Sequence, residues 1–167
     1  PAWARPSPAP LSLPEARPPS SLLVTHSRFY RSPAAFKGKR VVVVGVGNSA
    51  LDISLELALD PHVVKPVLVS ARRGAVVLPI RGFFGLPSDV FLTSRAFQYG
   101  VSPAVRVRIM QDLARPVNEE FRRLGMPPPP EPSLDKLFAP ENPTSNCKAT
   151  EEYLQALRRG DIAFVDG

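Results

Sequence analysis

The sequence predicts an α/β fold, namely a Rossmann-like βαβ dinucleotide-binding domain with a helical insertion and Pro-rich irregular segments. Three observations support this prediction. An apolar run of four valines ends at Gly45, a glycine-rich turn follows it directly, and a second apolar strand begins shortly after an intervening helical segment. Strand, turn, helix and strand within about thirty residues are the pattern of a βαβ unit.

The length and composition fit one globular domain. The chain has 167 residues, 44% of them hydrophobic and 22% charged, which is enough to form a core and argues against general disorder. The single cysteine, Cys147, excludes an intrachain disulfide, and it lacks His or Cys neighbours at metal-ligand spacing. We therefore expect no metal site and a reducing, cytoplasmic location. No apolar run is long enough to span a membrane, although membrane association of a full-length form is left open.

The positive charge does not have the pattern of a nucleic-acid-binding protein. There are 21 Lys and Arg against 15 Asp and Glu, a formal net charge of +6. The cations are scattered as singles and pairs, without a basic run or interleaved aromatic residues. We therefore predict no nucleic-acid partner.

The first three elements follow from hydrophobic patterning. Residues 39–45 form a β-branched run without polar alternation, which predicts a parallel strand buried on both faces. Residues 51–59 carry closely spaced apolar side chains and predict a helix that ends at Asp60 and Pro61. Residues 67–71 predict the second strand.

The later elements are predicted by periodicity and by Pro and Gly. Val76–Pro79 is a short extended piece, and residues 90–124 have helical spacing in which Pro116 should start a new helix or kink the existing one. Residues 150–157 predict a helix, with Gly160 as its C′ glycine. Residues 161–165 predict a closing strand.

The glycine-rich turn has the features of a dinucleotide site. Gly45, Gly47 and Ala50 form a G-x-G-x-x-A pattern between a strand and a helix, the context that this fingerprint requires. A pyrophosphate would bind the helix N-terminus, with Asn48 and Ser49 as side-chain donors. The alternative is a turn that only permits close packing. The segment lacks the second glycine of a serine-hydrolase elbow and the lysine of a P-loop.

The end of the second strand indicates which nucleotide is bound. An NAD site has a carboxylate there, whereas an NADP site has arginine for the 2′-phosphate. This chain has Arg72 and Arg73 after Ser70, and no carboxylate. Because guanidinium groups bind phosphate bidentately, the pair favours NADPH over NADH, with Ser70 as a weaker candidate. The alternative is a solvated basic turn.

These motifs resemble the flavin-containing monooxygenases. Residues 26–31 match the H-x-x-x-Y/F-K/R end of the family's identifying sequence, and residues 36–52 match the approach to its second fingerprint, G-x-G-N-S-x-x-D. Residues 70–79 resemble the family's NADPH-side strand end. The F-x-G that should precede the histidine is replaced, since Ser20 and Leu22 occupy its positions.

The resemblance implies an NADPH-dependent oxidoreductase. The whole enzyme would use NADPH, FAD and O2 to oxygenate soft nitrogen or sulfur centres of small molecules, as an N,N-dimethylaniline monooxygenase does. The predicted cofactor-binding residues are Gly45, Gly47, Asn48, Ser49, Ala50, Ser70, Arg72 and Arg73. The family's FAD fingerprint is not in this chain, so we expect an incomplete, inactive piece that needs the missing FAD-domain segments. No catalytic residue is identified, and His26 and Tyr30 are interpreted as packing or interface residues.

Other functions are left open at this point. They are a flavin-free NADP(H)-binding or regulatory module, a related Baeyer–Villiger-type or N-hydroxylating flavoprotein, and an interaction protein with a basic surface and Pro-rich arms. The predicted organisation is a Pro-rich extended segment with the family motif (1–36), a βαβ NADP(H)-binding core (37–89), a helical insertion (90–126), a Pro-rich linker (127–148), and a closing helix and strand (149–167).

Overall fold

The structure is a computed structural model that describes residues 22–81, 85–88, 90, 94–128 and 146–165. Two predicted features lie outside the described residues. They are the Pro-rich segment up to residue 21 and most of the second Pro-rich segment, residues 129–145.

Among the described residues, the main sheet has three parallel strands, β1 (Arg40–Val44), β2 (Val64–Ser70) and β5 (Ile162–Val165). Their order in the sheet is β1-β2-β5, and helix α1 (Asn48–Leu59) joins β1 to β2. The predicted strand, helix and strand are confirmed, and so is the α/β class. Helix α1 begins three residues before the predicted start, because Gly47 is its N-cap.

In the middle of the chain, the described residues include helices α2 (Arg95–Gly100) and α3 (Pro103–Arg123). Of the two alternatives predicted for Pro116, the start of a new helix is wrong, because α3 runs through this residue; the alternative of a kink stays a prediction. Proline removes one backbone donor from the helix, and burial of Ala114 and Phe121 on either side of Pro116 favours the continuous helix.

A second, two-stranded parallel sheet pairs β3 (Val76–Pro79) with β4 (Asn146–Ala149). The extended piece predicted at residues 76–79 is confirmed. Strand β4 begins inside the segment predicted as a Pro-rich linker. Its partner lies far away in sequence, so local composition did not indicate a strand there.

The last helix, α4 (Glu151–Arg158), is close to the predicted range. The Thr150 hydroxyl caps it by accepting a hydrogen bond from the Tyr153 N–H at 3.2 Å. Gly160 has a φ of +76°, as expected of a C′ glycine, and the chain then enters β5. The main core packs one face of the sheet against α1, α4 and the end of α3; its largest fully buried members include Leu51, Leu57, Phe121, Tyr153, Val67, Val69 and Ile162.

The prediction that β1 is buried on both faces is wrong. Val42 and Val44 are 54% and 71% exposed, whereas Val41 and Val43 pack against the core. Strand β1 is an edge strand of this three-stranded sheet, and the core helices of the described chain cover the Val43 side. The four-valine run therefore has one face packed against the core and one face exposed.

Loss of the α4 cap should lower stability. We expect Thr150→Ala to reduce the free energy of unfolding by about 1 kcal/mol, because the Tyr153 N–H loses its acceptor. Urea unfolding followed by circular dichroism measures the change. Thr150→Ser keeps the hydroxyl and should stay close to wild type; an equal loss in both variants would show that the cap is not responsible.

Within the part of the chain that the structure covers, no helix has the length and apolar character needed to cross a membrane.

Candidate functional site

The glycine-rich turn leaves β1 through a backbone conformation that favours glycine. Gly45 has a φ of +106°, and its N–H donates to the Ser70 carbonyl at 2.9 Å. A Cβ built on Gly45 or Gly47 would have no heavy atom within 4 Å apart from its immediate chain neighbours. The space beside the turn is therefore open, as the close approach of a ligand would require.

Helix α1 begins directly after this turn. Gly47 is the N-cap, and its carbonyl accepts from the N–H groups of Ala50 at 2.9 Å and Leu51 at 3.1 Å. No side chain caps this end at Gly47, no acidic residue lies in the first turn, and Asn48 and Ser49 are exposed. The positive end of the helix dipole is thus presented to solvent beside two polar side chains, which suits an anion.

The two arginines lie just after β2. Ala71 is buried, and its N–H donates to the Val165 carbonyl at 3.2 Å, which anchors the strand end. Arg72 and Arg73 are exposed, and neither guanidinium has an ion pair or hydrogen bond to another described residue. Among the described residues, no polar contact therefore holds either guanidinium in place.

The sheet brings the turn and the arginine pair together. Val44 and Ser70 are register partners at the carboxyl ends of β1 and β2. The hydrogen bond from Gly45 to Ser70 then joins the start of the turn to the residue two positions before Arg72. The predicted residues thus belong to two neighbouring segments at the carboxyl end of the sheet, where open α/β sheets bind ligands. They are Gly45, Gly47, Asn48, Ser49, Ala50, Ser70, Arg72 and Arg73.

A family model described as "Flavin-binding monooxygenase-like" matches residues 22–125, which is more than half of the 167-residue chain. The chain belongs to the flavin-binding monooxygenase-like family. The resemblance predicted from the sequence is therefore confirmed, and the matched residues include both segments of the site.

Individual family members are similar over shorter stretches. Flavin-containing monooxygenase 5 of Cavia porcellus is 48% identical over 77 residues, which cover 46% of this chain and 14% of the relative. The Oryctolagus cuniculus protein of the same name is 38% identical over 96 residues, covering 58% of this chain and 17% of the relative. Flavin-containing monooxygenase 3 of Macaca mulatta is 46% identical over 70 residues, covering 42% and 13%. The chain thus spans less than a fifth of each of these relatives.

The histidine of the family motif is exposed and caps a turn, whereas the tyrosine packs against the core. The His26 Nδ1 accepts from the Arg28 N–H at 3.1 Å and so caps a short 3₁₀ turn, Ser27–Phe29. The Tyr30 ring stacks on Phe36 at 5.8 Å between centroids, and its buried hydroxyl has no partner of good hydrogen-bond geometry among the described residues. Burial, followed by the nearby Glu56 carboxylate, raises the pKa of Tyr30. A neutral, packed phenol fits the interpretation of Tyr30 as a structural residue.

Two residues beside the site were missed in the sequence. Gly74 is buried against the backbone of Pro127 and Pro128, and the Asn118 side chain bonds to the backbone of Val77. Gly74 directly follows the arginine pair in the sequence, and no local pattern indicated that its backbone contacts Pro127 and Pro128. Asn118 was detectable as a polar residue between the apolar positions Val117 and Phe121 of a helix, but its partner was not.

Over the same described residues, no group of three or more His, Cys, Asp or Glu side chains is arranged to hold a metal ion.

Proposed function

We propose that this chain is the NADP(H)-binding portion of a flavin-dependent monooxygenase that oxygenates soft nitrogen or sulfur centres of small molecules. The observation that carries the proposal is the junction between the glycine turn and the arginine pair, formed by the 2.9 Å hydrogen bond from Gly45 to Ser70. This junction would allow one extended ligand to contact an anion site and a pair of cations. Membership of the family supports the cofactor assignment.

The residues present fit a dinucleotide bound in the Rossmann manner. The pyrophosphate would lie at the start of α1, where Gly45 and Gly47 leave space and the Asn48 and Ser49 side chains can donate. Ala50 is half-buried, and its small side chain would allow the helix to pack close to the strand. No residue in this arrangement is assigned as a general acid, base or nucleophile.

The arginines would select the phosphorylated ribose. A 2′-phosphate carries about two negative charges near pH 7, as other phosphate monoesters do, and a guanidinium can bind two of its oxygens at once. The 2′-hydroxyl of NADH offers no such charge. Because Arg72 and Arg73 are exposed and have no described partner, little must be broken before they bind.

FAD belongs to the proposal through the family, and the site proposed on the described residues of this chain is for NADP(H). The flavin would supply the oxygen-activating chemistry when bound elsewhere in the complete enzyme. The part of this chain would be to hold and orient NADPH so that its hydride can reach the flavin. The small-molecule substrate and O2 would meet beyond these residues, and a cytoplasmic location stays a prediction.

Calorimetric titration of the 167-residue chain with NADPH and NADH tests the cofactor proposal. We expect NADPH to bind at least about tenfold more tightly, since one charge-assisted contact is worth roughly 1.5–3 kcal/mol. Equal affinity would contradict the NADP assignment. If neither nucleotide binds, the glycine turn only permits close packing, and the interpretation of the chain as an interaction protein is supported instead. In addition, we expect a protein that also contains the missing FAD-domain segments to be yellow, because it would bind flavin.

A further inference from the structure

A second segment of the chain, at Pro127 and Pro128, contacts the turn that carries Arg72 and Arg73. The Gly74 N–H donates to the Pro128 carbonyl at 3.1 Å. A Cβ built on Gly74 would lie 1.8 Å from the Pro127 carbonyl oxygen, far inside van der Waals contact. The two backbones therefore touch at the residue that follows Arg73, and a residue larger than glycine would push them apart.

Helix α3 directs the chain into this contact. Gly125, at a φ of +98°, ends the helix: its N–H donates to the Arg122 carbonyl at 3.1 Å, and the Met126 N–H donates to the Phe121 carbonyl at 3.0 Å. These two bonds make a Schellman motif, and Met126 and Phe121 are both buried in the main core. The path from α3 to Pro127 is thus fixed by packing.

The same helix also holds the strand that follows the turn. Asn118 accepts from the Val77 N–H at 2.9 Å and donates to the Val77 carbonyl at 2.8 Å and the Ala114 carbonyl at 2.6 Å. Val77 itself is fully buried. The segment from Gly74 to Val77 is therefore tied at both ends to α3 and the residues just after it.

We infer that the end of α3, with Pro127 and Pro128, positions Arg72 and Arg73 and thereby sets the preference for the 2′-phosphate. The inference depends on the proposed function. Both guanidinium groups are exposed and without a described partner, so the backbone of the turn sets where their side chains begin and how far they can reach. Bidentate recognition needs donors held to within about half an ångström, and an ordered turn loses less entropy on binding. Gly74 and Asn118 are positioning residues that do not touch the ligand.

The test compares Gly74→Ala with wild type by measuring dissociation constants for 2′,5′-ADP and 5′-AMP, which differ by one phosphate. The alanine must displace the Pro127 carbonyl, so we expect the 2′,5′-ADP affinity to fall about tenfold while 5′-AMP changes little. The matched control is Gly100→Ala at the end of α2, where a Cβ meets nothing within 4 Å. It should leave both affinities unchanged.

A second variant covers the case in which Gly74→Ala does not fold. Asn118→Asp keeps the acceptor for Val77 but loses both donated bonds, so the ratio of the two affinities should fall in the same direction. A folded variant whose ratio stays at the wild-type value, or one that loses both ligands equally, would overturn the inference. A wild-type chain that binds both ligands equally would refute the proposed function itself.

Discussion

Replacing Phe121 with alanine should lower the free energy of unfolding by about 3–5 kcal/mol, the range for a large aromatic residue removed from a core. Phe121 is fully buried, lies parallel to Tyr153 at 5.7 Å between centroids, and contacts the Phe164 ring at 6.3 Å. The side chain thus joins α3, α4 and β5. Removal leaves a cavity where these three elements meet, and aromatic contacts are lost as well.

Urea unfolding measures this change, and two variants calibrate it. Phe121→Leu fills part of the cavity and should cost less than the alanine variant. Val44→Ala removes an apolar side chain that is 71% exposed and should stay within about 0.5 kcal/mol of wild type. If Phe121→Ala lowered the free energy of unfolding no more than Val44→Ala does, Phe121 would not hold α3, α4 and β5 together.

Replacing Arg72 or Arg73 with alanine should weaken NADPH by about 1.5–3 kcal/mol and leave NADH almost unchanged. That loss corresponds to a factor of roughly 10 to 150 in the dissociation constant. The reason is that only NADPH offers the 2′-phosphate to the guanidinium groups. Both side chains are exposed, so the variants should fold normally.

Calorimetric titration of each variant with both nucleotides makes the comparison. Arg95→Ala removes an exposed cation at the start of α2, which corrects for the general loss of positive charge. Arg72→Lys keeps the charge without the planar fork and should fall between wild type and Arg72→Ala. A loss of equal size for NADPH and NADH would contradict the role of the arginines.

The parts of the fold that local patterns specify were predictable. The valine run, the glycine turn and the apolar strand near residue 70 predicted β1, α1 and β2, and Gly160 marked the end of α4. The exposed face of β1 was not predictable, because a run of valines does not indicate which neighbours cover each face. Strand β4 was missed because its only described partner, β3, is distant in sequence.

The same distinction applies to the candidate site. The glycine turn and the arginine pair could be found from short motifs, and their meeting at one edge follows from the parallel arrangement of β1 and β2. The contacts of Gly74 with Pro128 and of Asn118 with Val77 join residues more than forty positions apart. Such pairings depend on the path of α3, which short sequence motifs do not specify.

The central claim, that NADPH binds across the glycine turn and the arginine pair, is tested most directly by NMR titration. Backbone amide shifts of the 167-residue chain would be followed as NADPH, and separately NADH, is added. We predict that NADPH perturbs residues 45–50 and 70–74 together, and that NADH perturbs residues 45–50 with much smaller changes at 72–74. Shifts that leave residues 45–50 untouched, or that lie only along α3, would contradict the account.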